Sequence, residues 1–165
     1  MEQLCLNTLA AEYELRVIKE SVFRITRCLE LLSEKQIAYR MNDQCNSIGN
    51  LILHLCGNVY QYIQTTLGNK EDIRNRNLEF EHAGPFIKHE LEQLLHDITH
   101  ESNEIIKGLN FVDWYEVKHV QCFDMTGIQI VIHVIEHFSY HTGQIALLTK
   151  IYTQKDLGFY SGMAL

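Results

Sequence analysis

The sequence contains one proline, Pro85, and it has no low-complexity tract or internal repeat. A fold built mainly from strands would need far more turn signals than this chain offers. Its length, 165 residues, is that of one domain with a substantial core, and we expect a single domain over residues 1–165.

The sequence also lacks a cluster of lysine or arginine residues, and its formal net charge is −7. Proteins that bind nucleic acids without sequence preference need basic groups facing the phosphates, so this composition argues against such a partner and against anionic membranes. No apolar run approaches the length of a membrane span. The N-terminal stretch "MEQLCLNTLAAEYELR" has no apolar core of a signal peptide. We expect neither a nucleic acid nor a membrane as a partner.

The cysteines show no CxxC pair, which excludes a zinc-finger arrangement, and their number is odd. They predict reduced thiols in a cytoplasmic protein. The five residues are Cys5, Cys28, Cys45, Cys56 and Cys122.

Helical periodicity predicts four helices, at about residues 3–33, 47–67, 86–108 and 126–153. A polar stretch, "GNKEDIRNRNLEFEHAG", separates the second from the third and is long enough to cross the bundle. The stretch "WYEVKHVQCF", before the fourth, predicts a short strand or an extended loop. The predicted fold is all-α, a four-helix bundle with a long crossover connection and a short strand-like segment before helix 4.

On the third helix, the apolar stripe predicts which side chains face the core. The stripe contains Ile87, Leu91, Leu94 and Ile98. Three histidines lie off it and are predicted to face water, namely His89, His96 and His100.

The fourth helix is apolar on nearly every side, more than one bundle core can bury. We therefore expect a second buried face, most simply a homodimer interface. The alternative is that the flanking loop and the C-terminal tail "DLGFYSGMAL" cover it. The apolar residues are Ile130, Val131, Ile132, Val134, Ile135, Phe138, Ile145, Ala146, Leu147 and Leu148.

Three histidines of the fourth helix, His133, His137 and His141, repeat every four residues. At 100° per residue they lie within about 80° of one another, so they share one stripe. The same sector contains apolar residues and Gln144, which predicts that the histidines point inward. The sector's other members are Ile130, Leu148 and Ile151.

The second helix carries one histidine, His54, on a polar stripe inside an apolar segment. Such a stripe is costly to bury unless each polar group finds a partner. We therefore expect this polar stripe to face specific partner groups inside the protein. Its other members are Asn50, Asn58 and Gln61, with Tyr62 on the flank.

Spacing allows two explanations of these histidines, a metal site or a hydrogen-bonded core. His133 and His141 are about 12 Å apart along the helix, so only neighbours in the series can share one ion. Either His133 with His137, or His137 with His141, could join His54 in a three-histidine site. Spacing alone does not choose between the pairs or between the two explanations.

The segment "HVIEH" also matches the HxxEH pattern of inverted zincin proteases. We disfavour that assignment because Glu136 lies about 100° from His137 around the helix. The acidic ligand that such enzymes take downstream is also missing, since no glutamate follows Glu136.

"NSIGNLILHLCGN" followed far downstream by "HVIEHFSYHTGQI" resembles the DinB/YfiT-like metalloenzyme superfamily. The resemblance covers essentially the whole chain, and its closest match is an uncharacterised subgroup with these two signatures. It implies a four-helix bundle, often dimeric, with a divalent metal, nickel or zinc, on three histidines. The ligands then fall on His54, His137 and His141, while His133 becomes a pocket or second-sphere residue.

Some members of this superfamily are thiol S-transferases that use bacillithiol or mycothiol, so the resemblance implies a small-molecule substrate, including a low-molecular-weight thiol. The alternatives are a metal-dependent hydrolase and a bundle that binds a metal or small molecule without catalysis. No general base is identified. The candidate pocket residues, besides His133, are Gln144, Asn50, Asn58, Gln61, Tyr62 and Tyr140.

Overall fold

Four long helical segments form the protein, as the sequence predicts. The computed structural model describes residues 2–162. The first segment comprises α1 (Glu2–Tyr13), a π-helical stretch (Glu14–Val22) and α2 (Phe23–Leu31). The second comprises α4 (Ile48–Val59), which continues as a π-helical stretch over Tyr60–Thr65.

The other two long helices are α6 (Lys88–Gly108) and α8 (Gly127–Thr153). Three short helices, which the periodicity did not predict, occupy the connections: α3 (Glu34–Ala38), α5 (Arg76–Glu81) and α7 (Phe111–Tyr115). The predicted all-α bundle is confirmed.

The strand-like segment before the last helix is a two-stranded antiparallel hairpin. Strand β1 (Val117–Val120) pairs with β2 (Phe123–Thr126), and Val120 lies opposite Phe123 at its tight end. The turn includes Gln121, whose φ of 57° is left-handed. The prediction of one short strand was therefore incomplete, because the chain returns along itself before α8 begins.

Helix starts follow local capping chemistry. Ser47 accepts a hydrogen bond from the backbone N–H of Asn50, and the Asn50 side chain accepts from the backbone of Ser47, which forms a capping box. Thr126 and Gln129 form the same arrangement at the start of α8. Each box satisfies donors that a helix end would otherwise leave unpaired.

The core lies where α4 packs against α6 and α8 and where α8 packs against the first segment. Each of the four long helical segments contributes an apolar face to it. Its fully buried members include Tyr13, Ile25, Leu29, Ile52, Leu55, Ile63, Leu95, Val134 and Phe138.

The phase predicted for α6 was partly wrong. Leu91 is buried, but Leu94 is 37% exposed and Leu95 takes the core position in its place. Ile87, at the helix start, is also exposed, and Ile98 is half-buried. The core face of α6 is set by its contacts with both α4 and the first segment. The buried stripe therefore continues through Ser102, which the predicted repeat reaches, and through Thr99, which it does not mark.

The outer face of α8 keeps large apolar side chains exposed. Leu157 of the C-terminal tail is buried and Phe159 packs against the core, so the tail covers part of the bundle. Its described part, up to residue 162, does not cover Ile132, Tyr140, Leu147 or Ile151, all of which are exposed. Ile151 was predicted to point inward and does not, because it lies near the end of α8, beyond the histidine stripe. Residues 163–165 of the predicted tail lie outside the described residues.

The crossover connection is fixed to the start of α4. The Asn50 side-chain amide donates to the backbone carbonyls of Glu79, at 2.9 Å, and His82, at 2.7 Å. The Arg40 guanidinium donates to the Asn50 side-chain oxygen, at 3.0 Å, and to the carbonyl of Phe80. These bonds hold α5 across α4.

Within residues 2–162, no helix has both the length and the apolar character needed to cross a membrane.

Candidate metal centre

His54, His137 and His141 meet between α4 and α8. His54 is 6% exposed and His141 is 8% exposed, whereas His137 is half-buried. His137 and His141 are one helical turn apart, so they present adjacent rings to α4. The three ring centroids are 4.5 to 5.1 Å apart.

The ring nitrogens converge closely enough to hold one ion. The Nε2 atoms of His54 and His137 are 3.0 Å apart, and one ligand nitrogen from each of the three histidines lies within 4.8 Å of the others. Imidazole nitrogens bound to zinc at 2.0–2.1 Å in a tetrahedron are separated by about 3.3 Å. The His54–His137 pair already has nearly that spacing.

Two of the three rings have their outer nitrogen occupied. His54 Nδ1 donates to Glu79 Oε2 at 2.8 Å, and His141 Nδ1 donates to Gln144 Oε1 at 2.8 Å. A neutral imidazole carries one proton, so an Nδ1–H leaves the Nε2 lone pair free to bind. These partners therefore direct both Nε2 atoms toward the shared space, which is the arrangement of ligand histidines in metal sites.

Burial favours the neutral form of His137 and His141. Burial lowers the pKa of His137 to about 3, and the neighbouring histidines and Arg74 add to the effect. Burial also lowers the pKa of His141, with the hydrogen bond to Gln144 acting in the opposite direction. Metal ligation requires the neutral form, so the His137 and His141 rings are available to a cation at neutral pH.

His133 lies beside the trio and is not one of its members. Its ring stacks on Tyr62, with centroids 4.4 Å apart, and it is parallel to the His137 ring at 5.6 Å. Its Nε2 is 3.5 Å from the Asn58 side-chain nitrogen. Burial lowers the pKa of His133 as well. The structure thus groups His141, and not His133, with His137 and His54.

The other predicted pocket residues have separate positions. Tyr140 is exposed, with its ring 5.0 Å from that of His141. Gln61 accepts hydrogen bonds from Arg74, at 3.0 Å, and from Gln121 of the hairpin, at 2.8 Å. Asn58 is buried, and its side-chain oxygen has no hydrogen-bond partner among residues 2–162. Asn50 does not face the histidines, since it caps α4 and anchors the crossover.

Sequence reasoning missed two residues of the site, Glu79 and Arg74, because both lie in the connection treated as a polar crossover. Arg74 Nε donates to Glu79 Oε1 at 2.7 Å, and its NH2 group donates to Glu79 Oε2 at 3.0 Å. One signal was available in Gly57, three residues after His54, where a Cβ would lie 2.0 Å from Glu79 Oε1. A glycine on the polar side of a buried helix indicates close approach by another part of the chain.

The protease pattern finds no support in this geometry. Glu136 is exposed and lines a groove of about 790 Å³ between α8 and the first helical segment, where Glu12, Arg16 and Arg24 also lie. Its carboxylate is on the outer side of α8, away from α4, so it does not serve the three histidines.

The histidines of α6 lie outside the site. His89 and His96 are exposed, as predicted, whereas His100 is half-buried, which the phase did not predict. The reason is local, since the His100 ring stacks on that of His96 at 3.8 Å and its Nδ1 bonds to the His96 carbonyl.

A comparison with protein-family models identifies the family of this chain. The model of the family described as "Protein of unknown function (DUF1572)" covers residues 9–161. The chain belongs to this family. DUF1572 is a DinB-like family, so the resemblance noted from the sequence is confirmed at that level. No curated protein and no solved structure matches this DUF1572 chain.

The lowered histidine pKa values predict how the stability of the metal-free protein changes with pH. In the unfolded chain these rings take up a proton near pH 6.5, whereas folded His137 resists protonation down to about 3. The unfolded state therefore binds more protons between these values, so the free energy of unfolding should fall as the pH drops below about 6.5. Urea unfolding at pH 7 and pH 5, with chelator present, measures this loss.

His137→Gln is the matched control, because glutamine does not titrate. The variant should lose less stability than the wild type between pH 7 and pH 5. An equal loss in both proteins would show that His137 is not the group responsible.

Proposed function

We propose that this protein is a metal-dependent enzyme whose divalent ion is held by His54, His137 and His141. The observation that carries the proposal is the convergence of three imidazoles, two of which have Nδ1 engaged by Glu79 and Gln144. All-imidazole ligand sets suit zinc and nickel, and we propose one of these.

The number of ligands favours catalysis over a structural role. Structural zinc sites are closed by four protein ligands, whereas catalytic sites keep a position for water or substrate. Within residues 2–162 the group contains three side chains, and the Glu79 carboxylate is engaged on the far nitrogen of His54. An ion held by the three histidines would act as a Lewis acid. It would lower the pKa of a thiol or water molecule bound at the position that the protein leaves open.

The reaction we propose is the transfer of a low-molecular-weight thiol to an electrophile. The thiol sulfur forms a bond to the electrophilic carbon, the leaving group departs with its electron pair, and the thiol proton passes to solvent. In this reaction the three histidines would hold the ion to which the thiol binds, and the half-buried His137 marks the open side of the site. Support comes from the three-histidine group and the DinB-like family.

Metal content is the first test. Protein purified without chelator or nickel resin should contain about one zinc or nickel ion per chain by elemental analysis. His54→Ala should lose that ion, because two imidazoles from one helix turn do not complete the site.

His96→Ala is the control, since His96 is exposed on α6 and away from the trio. It should retain the metal content of the wild type. A metal-free wild type that also takes up no zinc or nickel on titration would overturn the proposal and leave a histidine-rich bundle.

The reaction can be tested with the metal-loaded protein and 1-chloro-2,4-dinitrobenzene as the electrophile. We expect one or more of glutathione, cysteine, bacillithiol and mycothiol to be conjugated faster than in the absence of protein, with loss of the excess rate in His141→Ala. No conjugation with any of these thiols, together with metal-dependent hydrolysis of nitrophenyl esters, would favour the hydrolase.

We also propose a homodimer formed through the outer face of α8, in a cytoplasmic protein. Ile132, Leu147 and Ile151 are exposed along that face, and burial of such side chains stabilises association. All five cysteines are free thiols, compatible with a reducing compartment.

Light scattering coupled to gel filtration tests the dimer. The wild type should have twice the mass of the 19.3 kDa chain, and Leu147→Glu should shift the protein toward the monomer because a buried charge opposes association. Glu104→Gln, a change at an exposed position of α6, is the control. A monomeric wild type at micromolar concentration would contradict the proposal.

A further inference from the structure

An ion pair of the crossover lies directly behind the candidate metal centre. The side chains of Arg74 and Glu79 are 2% and 9% exposed, and the guanidinium binds both carboxylate oxygens in a forked arrangement. The second oxygen of Glu79, Oε2, also accepts the hydrogen bond from His54 Nδ1 at 2.8 Å. One carboxylate thus bridges a ligand histidine and a buried cation.

Burying two charges is costly, and a buried ion pair is no general route to stability. Placement of this pair against a histidine therefore points to a role at the site. Burial acts to raise the pKa of Glu79, but hydrogen bonds from His54 and Arg74 outweigh it and lower the pKa. Independently of the pKa, the geometry is that of a carboxylate anion, since the Arg74 guanidinium and His54 Nδ1–H together direct donors at both of its oxygens.

Arg74 makes the Glu79 charge necessary. Its NH2 group is 3.3 Å from His54 Nδ1, so the guanidinium charge lies close to the ring. Without a compensating anion, this charge would repel a divalent cation on the other side of the same imidazole. The Glu79 carboxylate neutralises the charge of Arg74, and it also fixes the His54 ring by accepting a hydrogen bond from Nδ1–H.

A glycine of α4, Gly57, leaves room for the contact between Glu79 and Arg74. A Cβ at Gly57 would lie 2.0 Å from Glu79 Oε1 and 3.1 Å from Arg74 Nε. On the other side of α5, Asn50 holds the backbone carbonyl of Glu79 at 2.9 Å. Gly57 thus leaves the space that the carboxylate occupies, and Asn50 fixes the backbone of the same residue.

We propose that Glu79 is the positioning residue of the metal centre: it holds His54 in the tautomer that presents Nε2 and neutralises the charge of Arg74, which in turn orients Glu79. This assignment rests on the proposed function. It adds to the centre a carboxylate that belongs to the crossover and does not bind the ion.

The affinity for zinc, measured by competition with a chromophoric chelator, tests the assignment. Glu79→Gln keeps the side-chain shape but removes the charge, leaving Arg74 as an unpaired cation beside His54. We expect zinc to bind about 10- to 100-fold more weakly, the range seen when such partners of ligand histidines are changed. Glu71→Gln, the same substitution at an exposed position of the connection, should bind like the wild type.

A double variant separates the two parts of the role and guards against poor folding of Glu79→Gln. In Glu79→Gln/Arg74→Met the unpaired cation is absent, so the affinity should recover part of the loss. A purely structural role would change thermal stability without this pattern. Equal zinc affinity in the wild type and the double variant would overturn the assignment.

The tautomer of His54 provides a readout that does not depend on the metal. In the metal-free wild type at pH 8, ¹⁵N shifts should show Nδ1 protonated and Nε2 bare, and the opposite tautomer would overturn the assignment. If the wild type takes up neither zinc nor nickel, the proposed function fails and this assignment fails with it. If the wild type binds zinc and Glu79→Gln binds it equally well, only this assignment fails.

Discussion

The hydrogen bond between His54 Nδ1 and Glu79 Oε2 joins the most buried helix of the bundle to the connection that crosses it. Several neighbouring residues are arranged around this contact. Gly57 leaves the space that the carboxylate fills, and Arg74 holds the carboxylate from the other side. Asn50, at the capped start of α4, ties down the backbone of the same residue. The crossover is therefore a part of the site and not a simple linker.

The four long helices could be predicted because each carries an apolar stripe of its own, and local chemistry such as the Ser47 cap marks where one begins. His54 could be recognised for a similar reason, since a polar stripe inside an apolar helix implies buried partners. Spacing left the choice of its partners on helix 4 open. The structure brings His137 and His141, and not His133, together with His54.

The rest of the site could not be predicted because it depends on contacts between distant parts of the chain. Arg74 and Glu79 lie in a polar stretch with no periodicity, and nothing local distinguishes Glu79 from Glu71 nearby. The position of Asn50 on the polar stripe suggested a pocket, whereas its partners are backbone groups of α5. On α6, Leu95 replaced Leu94 in the core because packing against two neighbours, and not the stripe alone, sets the rotation of a helix.

His54 and His137 lie 83 residues apart in sequence yet have Nε2 atoms 3.0 Å apart. Their meeting requires α4 and α8 to be packed, so the unfolded chain has no equivalent arrangement. An ion held as proposed would bind the native state selectively and shift the folding equilibrium toward it, by an amount that grows with the logarithm of the free metal concentration. The supply of metal in the cell would then control how much of the protein stays folded, as well as how much is loaded.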